Sequence, residues 1–130
     1  TRDLIFDTIK FMRKLPKSVD ATGAFMFAPY HGTPLRELAI KKGYIKEHEI
    51  ASISSTAHHS MLTMPTISKE EISGILRTFS LYIKFPESRW NEIKIAEKFT
   101  KEGDAMFKKL GDEFDQKYRS YDSKALDLHA

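Results

Sequence analysis

The sequence predicts an α/β chain that is itself mostly α-helical. Residues 1–65 read as a helix–strand–loop–helix unit, and residues 66–130 as a helical region. Three observations carry this. Apolar residues recur at helical spacing near the start and through most of the second half. A short aromatic and apolar run, Phe25-Met26-Phe27-Ala28, interrupts that rhythm. A Pro/Gly-containing loop, Pro29–Thr33, follows it and leads at once into a helix start.

Taken in order, Thr1 caps a helix over Arg2–Leu15, in which Leu4, Ile5, Ile9, Phe11 and Met12 recur at roughly helical spacing, and Pro16 follows its end. Val19–Ala28 reads as a buried strand. Thr33 and Pro34 are an N-cap followed by proline at the first helical position, and Gly43 closes the helix Pro34–Lys42. This order, with short connections, is the repeating unit of a parallel β/α fold. One strand cannot make a sheet, so its neighbours are expected upstream of Thr1 or on another chain. The first residue is Thr1 and not Met, which points to a start inside a longer gene product, or to processing or truncation.

Ile45, Ile50 and Ile53 fit a short helix, the run Ser52–Ser60 an exposed loop, and Met61–Met64 a short extended edge segment before Pro65. Ser68-Lys69-Glu70-Glu71 is a capping box, and Ile72, Ile75, Leu76, Phe79, Tyr82 and Ile83 follow it at i, i+3, i+4, i+7 spacing. Phe85-Pro86 ends that helix. A further helix is expected over Glu87–Glu102, interrupted by Gly103. A last, charge-dense stretch through Phe107, Leu110, Phe114 and Tyr121 reads as a partly docked helix that frays after Tyr121.

Composition bounds the function. The chain has 130 residues, enough for one ordinary domain or part of a larger one. Hydrophobic content of 41% with 12% aromatics is globular rather than disordered. Net charge is +3 and the basic surplus is scattered, which argues against a nucleic-acid partner. No apolar run is long enough to span a bilayer and no secretory signal opens the chain. Cysteine is absent, so disulfides, thiolate-held zinc and any cluster ligated by this chain's cysteines are excluded. That usage suits a cytoplasmic protein.

Chemistry concentrates on Pro29–Thr33. Gly32 permits backbone conformations that side chains forbid, and the helix after Thr33 points free amides back toward the strand end. Such a site suits a carboxylate, a phosphate or a ribose hydroxyl, with Tyr30 and His31 adding an aromatic face and a group that titrates near neutrality. An ordinary strand-to-helix turn with a capping threonine fits the same residues. His58-His59 and His48-Glu49 lack a third ligand at metal spacing. Glu70-Glu71 is explained by a helix start, and Asp112-Glu113 with Asp115 by a solvated face. Phe79, Tyr82, Phe85 and Trp90 form an aromatic stripe that reads as core, a cover for a planar substrate being the other reading. No P-loop, nucleophile elbow or dinucleotide fingerprint is present.

Several strings share an order with one family. Pro29-Tyr30-His31-Gly32-Thr33-Pro34-Leu35 is similar to a Pro-Tyr-Pro-Gly-Thr-x-Leu strand end, with His31 in place of the second proline. Thr1-Arg2-Asp3, Lys42-Gly43-Tyr44-Ile45, Ser68–Ile72 and Thr78–Pro86 match further strings of the same set in the same order. Across Thr1–Trp90 the chain thus resembles the carboxy-terminal half of the radical SAM domain in proteins that also carry a cobalamin-binding domain. The resemblance implies the C-terminal part of a partial (β/α)6 TIM-type barrel. Residues 1–65 would be its terminal β/α units and residues 66–130 a helical C-terminal extension. It also implies a 4Fe-4S cluster held by a Cys-x3-Cys-x2-Cys loop, S-adenosyl-L-methionine cleaved reductively to a radical that abstracts hydrogen from a small-molecule substrate, and cobalamin in this branch. Phe25, Phe27, Pro29, Tyr30, His31, Gly32 and Thr33 would then line the barrel mouth near cofactor or substrate. The cysteine loop is absent here, so the upstream part of the same polypeptide would hold the cofactors and this chain alone would be inactive. From another class, Ile72–Phe114 fits a small helical protein-interaction module without catalysis.

Overall fold

The computed structural model describes residues 1–16, 23–51 and 60–119. These residues are mostly helical: α1 (Arg2–Met12), α2 (Pro34–Lys41), α3 (Lys69–Lys84), α4 (Trp90–Ala96) and α5 (Lys101–Phe114). A 3-10 turn, Glu87–Arg89, leads into α4, and a π turn, Asp115–Arg119, extends α5. No strand forms among the described residues, where the isolated antiparallel bridge is Met64 with Ile67. Residues 19–22 of the expected strand, the His58-His59 pair and Tyr121 lie outside the described residues. Its remainder, 23–28, runs without turn or bend but has no ladder partner.

The helix starts follow their side chains. The Thr1 hydroxyl accepts from the Leu4 amide, Thr33 from Arg36 and Ser68 from Glu71, each supplying an acceptor to a first-turn N–H. The capping box is half made. Glu71 does not return to Ser68; its carboxylate accepts from Arg2 at 3.3 Å instead. α1 is also shorter than its periodicity predicts. Lys14 and Leu15 donate to the carbonyls three residues back, tightening the last turn ahead of Pro16. At the end of α2, Gly43 sits at φ 71°, the Tyr44 amide reaches Ala39 and the Gly43 amide reaches Ile40, a Schellman stop. Residues 45–51 form no helix.

The largest departure is at residues 87–102, where the sequence predicts one helix. The chain instead breaks after Ala96, and Thr100 caps a new helix by accepting from the Gly103 amide at 3.1 Å. Gly103, expected as an interruption, sits in the first turn of α5. A Cβ there would lie 1.9 Å from the Lys98 carbonyl oxygen, so glycine is what lets α5 start against the end of α4.

One core joins α1, α3, α4 and α5: Ile9 of α1, Ile75, Phe79 and Tyr82 of α3, Ile93 of α4 and Leu110 of α5. The predicted aromatic stripe is part of it, with Trp90 packed against the buried cluster. Phe6, Tyr82 and Trp90 meet edge to face at centroid distances of 4.9 to 5.5 Å. Arginines close the helix ends. Arg13 of the turn after α1 donates to the carbonyls of Tyr82, Ile83 and Phe85, groups that the end of α3 leaves without intrahelical partners. Arg77 does the same for Ala96 and Lys98 after α4, pairs with Asp104, and lies over Phe99 and Phe107. Charged hydrogen bonds of this kind contribute about 1.5–3 kcal/mol each.

Candidate functional site

The predicted site divides into a two-faced run, a turn, and a capped helix. Along the run, burial alternates with a period of two, as an extended chain requires. Met26 and Ala28 are each 8% exposed, whereas Phe25 is 84% and Phe27 51% exposed. Among the described residues, residues 24–28 make no backbone hydrogen bond. The segment therefore seats one face on the helical body and leaves the other face exposed, with no backbone partner at its edges among the described residues.

At the end of the run the chain turns over Tyr30-His31-Gly32-Thr33. The Thr33 amide donates to the Tyr30 carbonyl at 3.3 Å, and Gly32 sits at φ 78°. Positive φ at the third position is the requirement of a type II turn, in which proline is favoured at the second. His31 occupies that second position. The turn thus gives a physical reason for the Pro-Gly pair of the similar motif. The Thr33 hydroxyl donates to Tyr30 at 2.7 Å and accepts from Arg36, so it is spent on the turn and cap. Pro34 has no N–H, and the Arg36 and Glu37 amides go to the Thr33 carbonyl. Few first-turn donors are left for a ligand.

Behind the turn sits a residue that sequence reasoning missed. Arg36 is 3% exposed and donates to the carbonyls of Pro29 at 3.0 Å, Glu47 at 2.8 Å and Glu49 at 2.6 Å. This guanidinium ties the end of the run to the loop after α2 and braces the start of the turn. Its acceptors are backbone oxygens from distant positions, so no local motif signals it.

An apolar groove of about 470 Å³ opens beside the run. Its walls include Leu4 and Thr8 of α1, Phe25 and Phe27, Leu62, and Leu76 of α3. The predicted site residues therefore part company. Phe25 and Phe27 line the groove. Pro29 is buried, Tyr30 and His31 are exposed on the turn, and neither they nor Gly32 and Thr33 belong to the groove lining. None of the sixteen lining side chains is charged, although charged residues make up 30% of the chain.

A second polar cluster lies across α1. Arg2 grips the Glu97 carboxylate with two hydrogen bonds, 2.7 and 2.9 Å, while the Tyr82 hydroxyl donates to the same carboxylate. Burial and that hydrogen bond push the Tyr82 hydroxyl well above its ordinary pKa, and the Glu97 and Glu71 carboxylates hold the Arg2 guanidinium charged. Every strong donor and acceptor here is matched internally, which makes the cluster a fastening of α1 onto α3 and α4. Similarly, Glu113, expected on a solvated face, accepts from Arg89, which also binds Glu92.

Among the described residues no group of three His, Asp or Glu side chains converges on a metal position. No helix among them is long and apolar enough to cross a membrane. Comparison with protein-family models, curated proteins and solved structures gives no match to this chain.

Proposed function

We propose that the chain is the C-terminal segment of a radical SAM iron–sulfur enzyme of the cobalamin-binding type, contributing part of the barrel wall near cofactor and substrate. The reading rests first on the ordered run of similar strings from Thr1 to Trp90. The structural observation that carries it is the extended run 24–28, buried on one face and open on the other, feeding a glycine turn and a capped helix. Such a run would suit a barrel strand whose neighbouring strands lie in other sequence.

The cluster does not fit this chain's own residues. There is no cysteine to supply thiolates. An iron–sulfur centre would be held by other sequence, and this chain's part would be steric and orienting. Phe25 and Phe27 would shield the mouth from water, and Arg36 would hold Tyr30 and His31 in register. In the alternative reading, a helical interaction module, Ile72–Phe114 would be the docking surface. Ile75, Phe79, Ile93 and Leu110, the apolar residues such a surface would use, are buried in the chain's own core.

The decisive observation is the reading frame upstream of the Thr1 codon. An in-frame Cys-x3-Cys-x2-Cys loop, within the roughly 200 residues that a barrel requires, supports the assignment. A frame that extends that far without such a loop overturns it. The 130-residue chain treated alone with iron and sulfide is expected to show no charge-transfer absorbance, and a stable cluster on it would also sink the reading.

A further inference from the structure

The open run beside the groove has a consequence for this chain that does not depend on the enzyme reading. From segment 24–28, which has no backbone partner among the described residues, we infer that two copies of the chain associate about a twofold axis, each adding this segment to the other's as an antiparallel strand. Strand addition needs a backbone edge with free donors and acceptors and an adjacent surface that takes alternate side chains. Both are present. The backbone of 24–28 has no hydrogen-bond partner among the described residues, and the groove beside it is lined by sixteen uncharged side chains.

The occupant must therefore be extended, uncharged and apolar. Ala24-Phe25-Met26-Phe27-Ala28 is itself such a segment. A surface that carries both the edge and the matching strand is self-complementary, which is the condition for an isologous contact. Centred on Met26, antiparallel pairing sets Phe25 of each copy opposite Phe27 of the other, so aromatic side chains face each other across the strands.

The area is sufficient. Leu4, 65% exposed, shares the groove with Phe25 and Phe27, and Phe11, 61% exposed, lies two turns further along α1 on the Leu4 face of that helix. At about 200 Å² per aromatic side chain, these residues leave roughly 500 Å² of apolar surface open on each copy. Covering both faces removes on the order of 1,000 Å², the threshold for a specific interface. Phe25 and Phe27 also form the kind of exposed apolar edge that isolated chains do not keep in water.

The test uses sedimentation equilibrium and disulfide trapping of the full 130-residue chain. The wild type has no cysteine, so Met26→Cys places one thiol per copy on the twofold axis. In the predicted register the two Cα atoms lie about 4.5–5.5 Å apart, within reach of a disulfide. Mild oxidation should therefore trap a covalent dimer. Ile50→Cys, exposed but outside the groove, should stay monomeric under the same conditions. Phe25→Lys changes a side chain already in solvent, so it should leave the circular dichroism spectrum intact and weaken dimerisation at least tenfold. A monomer throughout the micromolar range overturns the inference. So does a dimer that survives Phe25→Lys, or one in which Ile50→Cys crosslinks as readily as Met26→Cys. An upstream frame without the cysteine loop would remove the enzyme reading and leave these results standing.

Discussion

Replacing His31 by proline should tighten the turn that the site is built on. His31 is the second residue of a turn whose third residue, Gly32, sits at φ 78°. Its amide makes no backbone hydrogen bond among the described residues, so nothing is lost when proline removes the N–H. Fixing φ near the value that the turn already needs lowers the entropy of the unfolded chain, typically by about 0.4–1 kcal/mol. In the opposite direction, Gly32→Ala adds a Cβ that meets no atom within 4 Å. Its cost is therefore the left-handed backbone alone, about 1–2 kcal/mol. α2 touches the helical core lightly, so the response should be local and best read by hydrogen exchange at its amides. Protection in α2 should rise about two- to fivefold in His31→Pro and fall roughly five- to thirtyfold in Gly32→Ala. Loss of protection in His31→Pro would refute the turn assignment. It would also remove the physical reason offered for the Pro-Gly pair of the similar motif.

Three further outcomes follow from the packing. Gly103→Ala should destabilise by more than about 2 kcal/mol in urea unfolding, because its Cβ would fall 1.9 Å from a backbone oxygen, whereas Gly111→Ala in the same helix meets no atom and should gain up to about 1 kcal/mol. Tyr82→Phe should cost about 1–3 kcal/mol by removing a donor to the buried Glu97 carboxylate. Since burial raises the folded pKa of Tyr82 above its unfolded value of 10.0, its protonated form favours folding fully below that pH and the contribution is lost above it; the variant should therefore unfold less steeply in alkaline melts. On the acid side, hydrogen bonds from Arg89 hold the Glu92 and Glu113 carboxyls below their usual range, so that contribution is complete above pH 4.5 and fades as pH falls through the lowered values. Glu113→Gln should flatten the acid limb of a melting-temperature profile, by an amount in keeping with a part-exposed pair worth at most about 1 kcal/mol.

What the sequence made legible was local. Thr1, Thr33 and Ser68 were readable as caps because a cap involves residues three apart, and Gly43 as a stop because the Schellman bonds span six residues. The inward face of α3 was readable from its spacing. The break between Ala96 and Thr100 was not, since apolar Ile93, Ala96 and Phe99 continue the helical rhythm across it. The signal that decides the break is Thr100 followed by a glycine that must pass close to another backbone, and nothing in sequence space shows that approach. The arginines were invisible for the same reason. Arg13 reaches residues about 70 positions away, and Arg36 reaches three carbonyls that become neighbours only after the chain has turned. For the site, the turn could be read from Gly32 and Pro34, but the separation of Phe25 and Phe27 from Tyr30 and His31 could not.

The two halves of the molecule differ in how far they satisfy themselves. In the helical core the arginines find nearby acceptors: Arg2 has Glu97, Arg13 the end of α3, Arg77 the end of α4, Arg89 its two glutamates, while the Trp90 indole N–H is a buried donor without a partner among the described residues. Ile75, Phe79, Ile93 and Leu110 are buried against one another, which weakens the case for Ile72–Phe114 as a docking surface. The run 24–28 is the opposite case, with no backbone partner among the described residues, two exposed phenylalanines and an uncharged groove alongside. Binding energy is available where surface and backbone are unspent, not where they are already matched. A partner segment that pairs with this chain should therefore meet it at Ala24–Ala28. Arg36 explains why that meeting point would bear on the site. Its bond to the Pro29 carbonyl makes the residue next to Ala28 part of the same clamp that holds the Tyr30–Thr33 turn. A strand that registers against 24–28 would thereby set the position of Tyr30 and His31 as well.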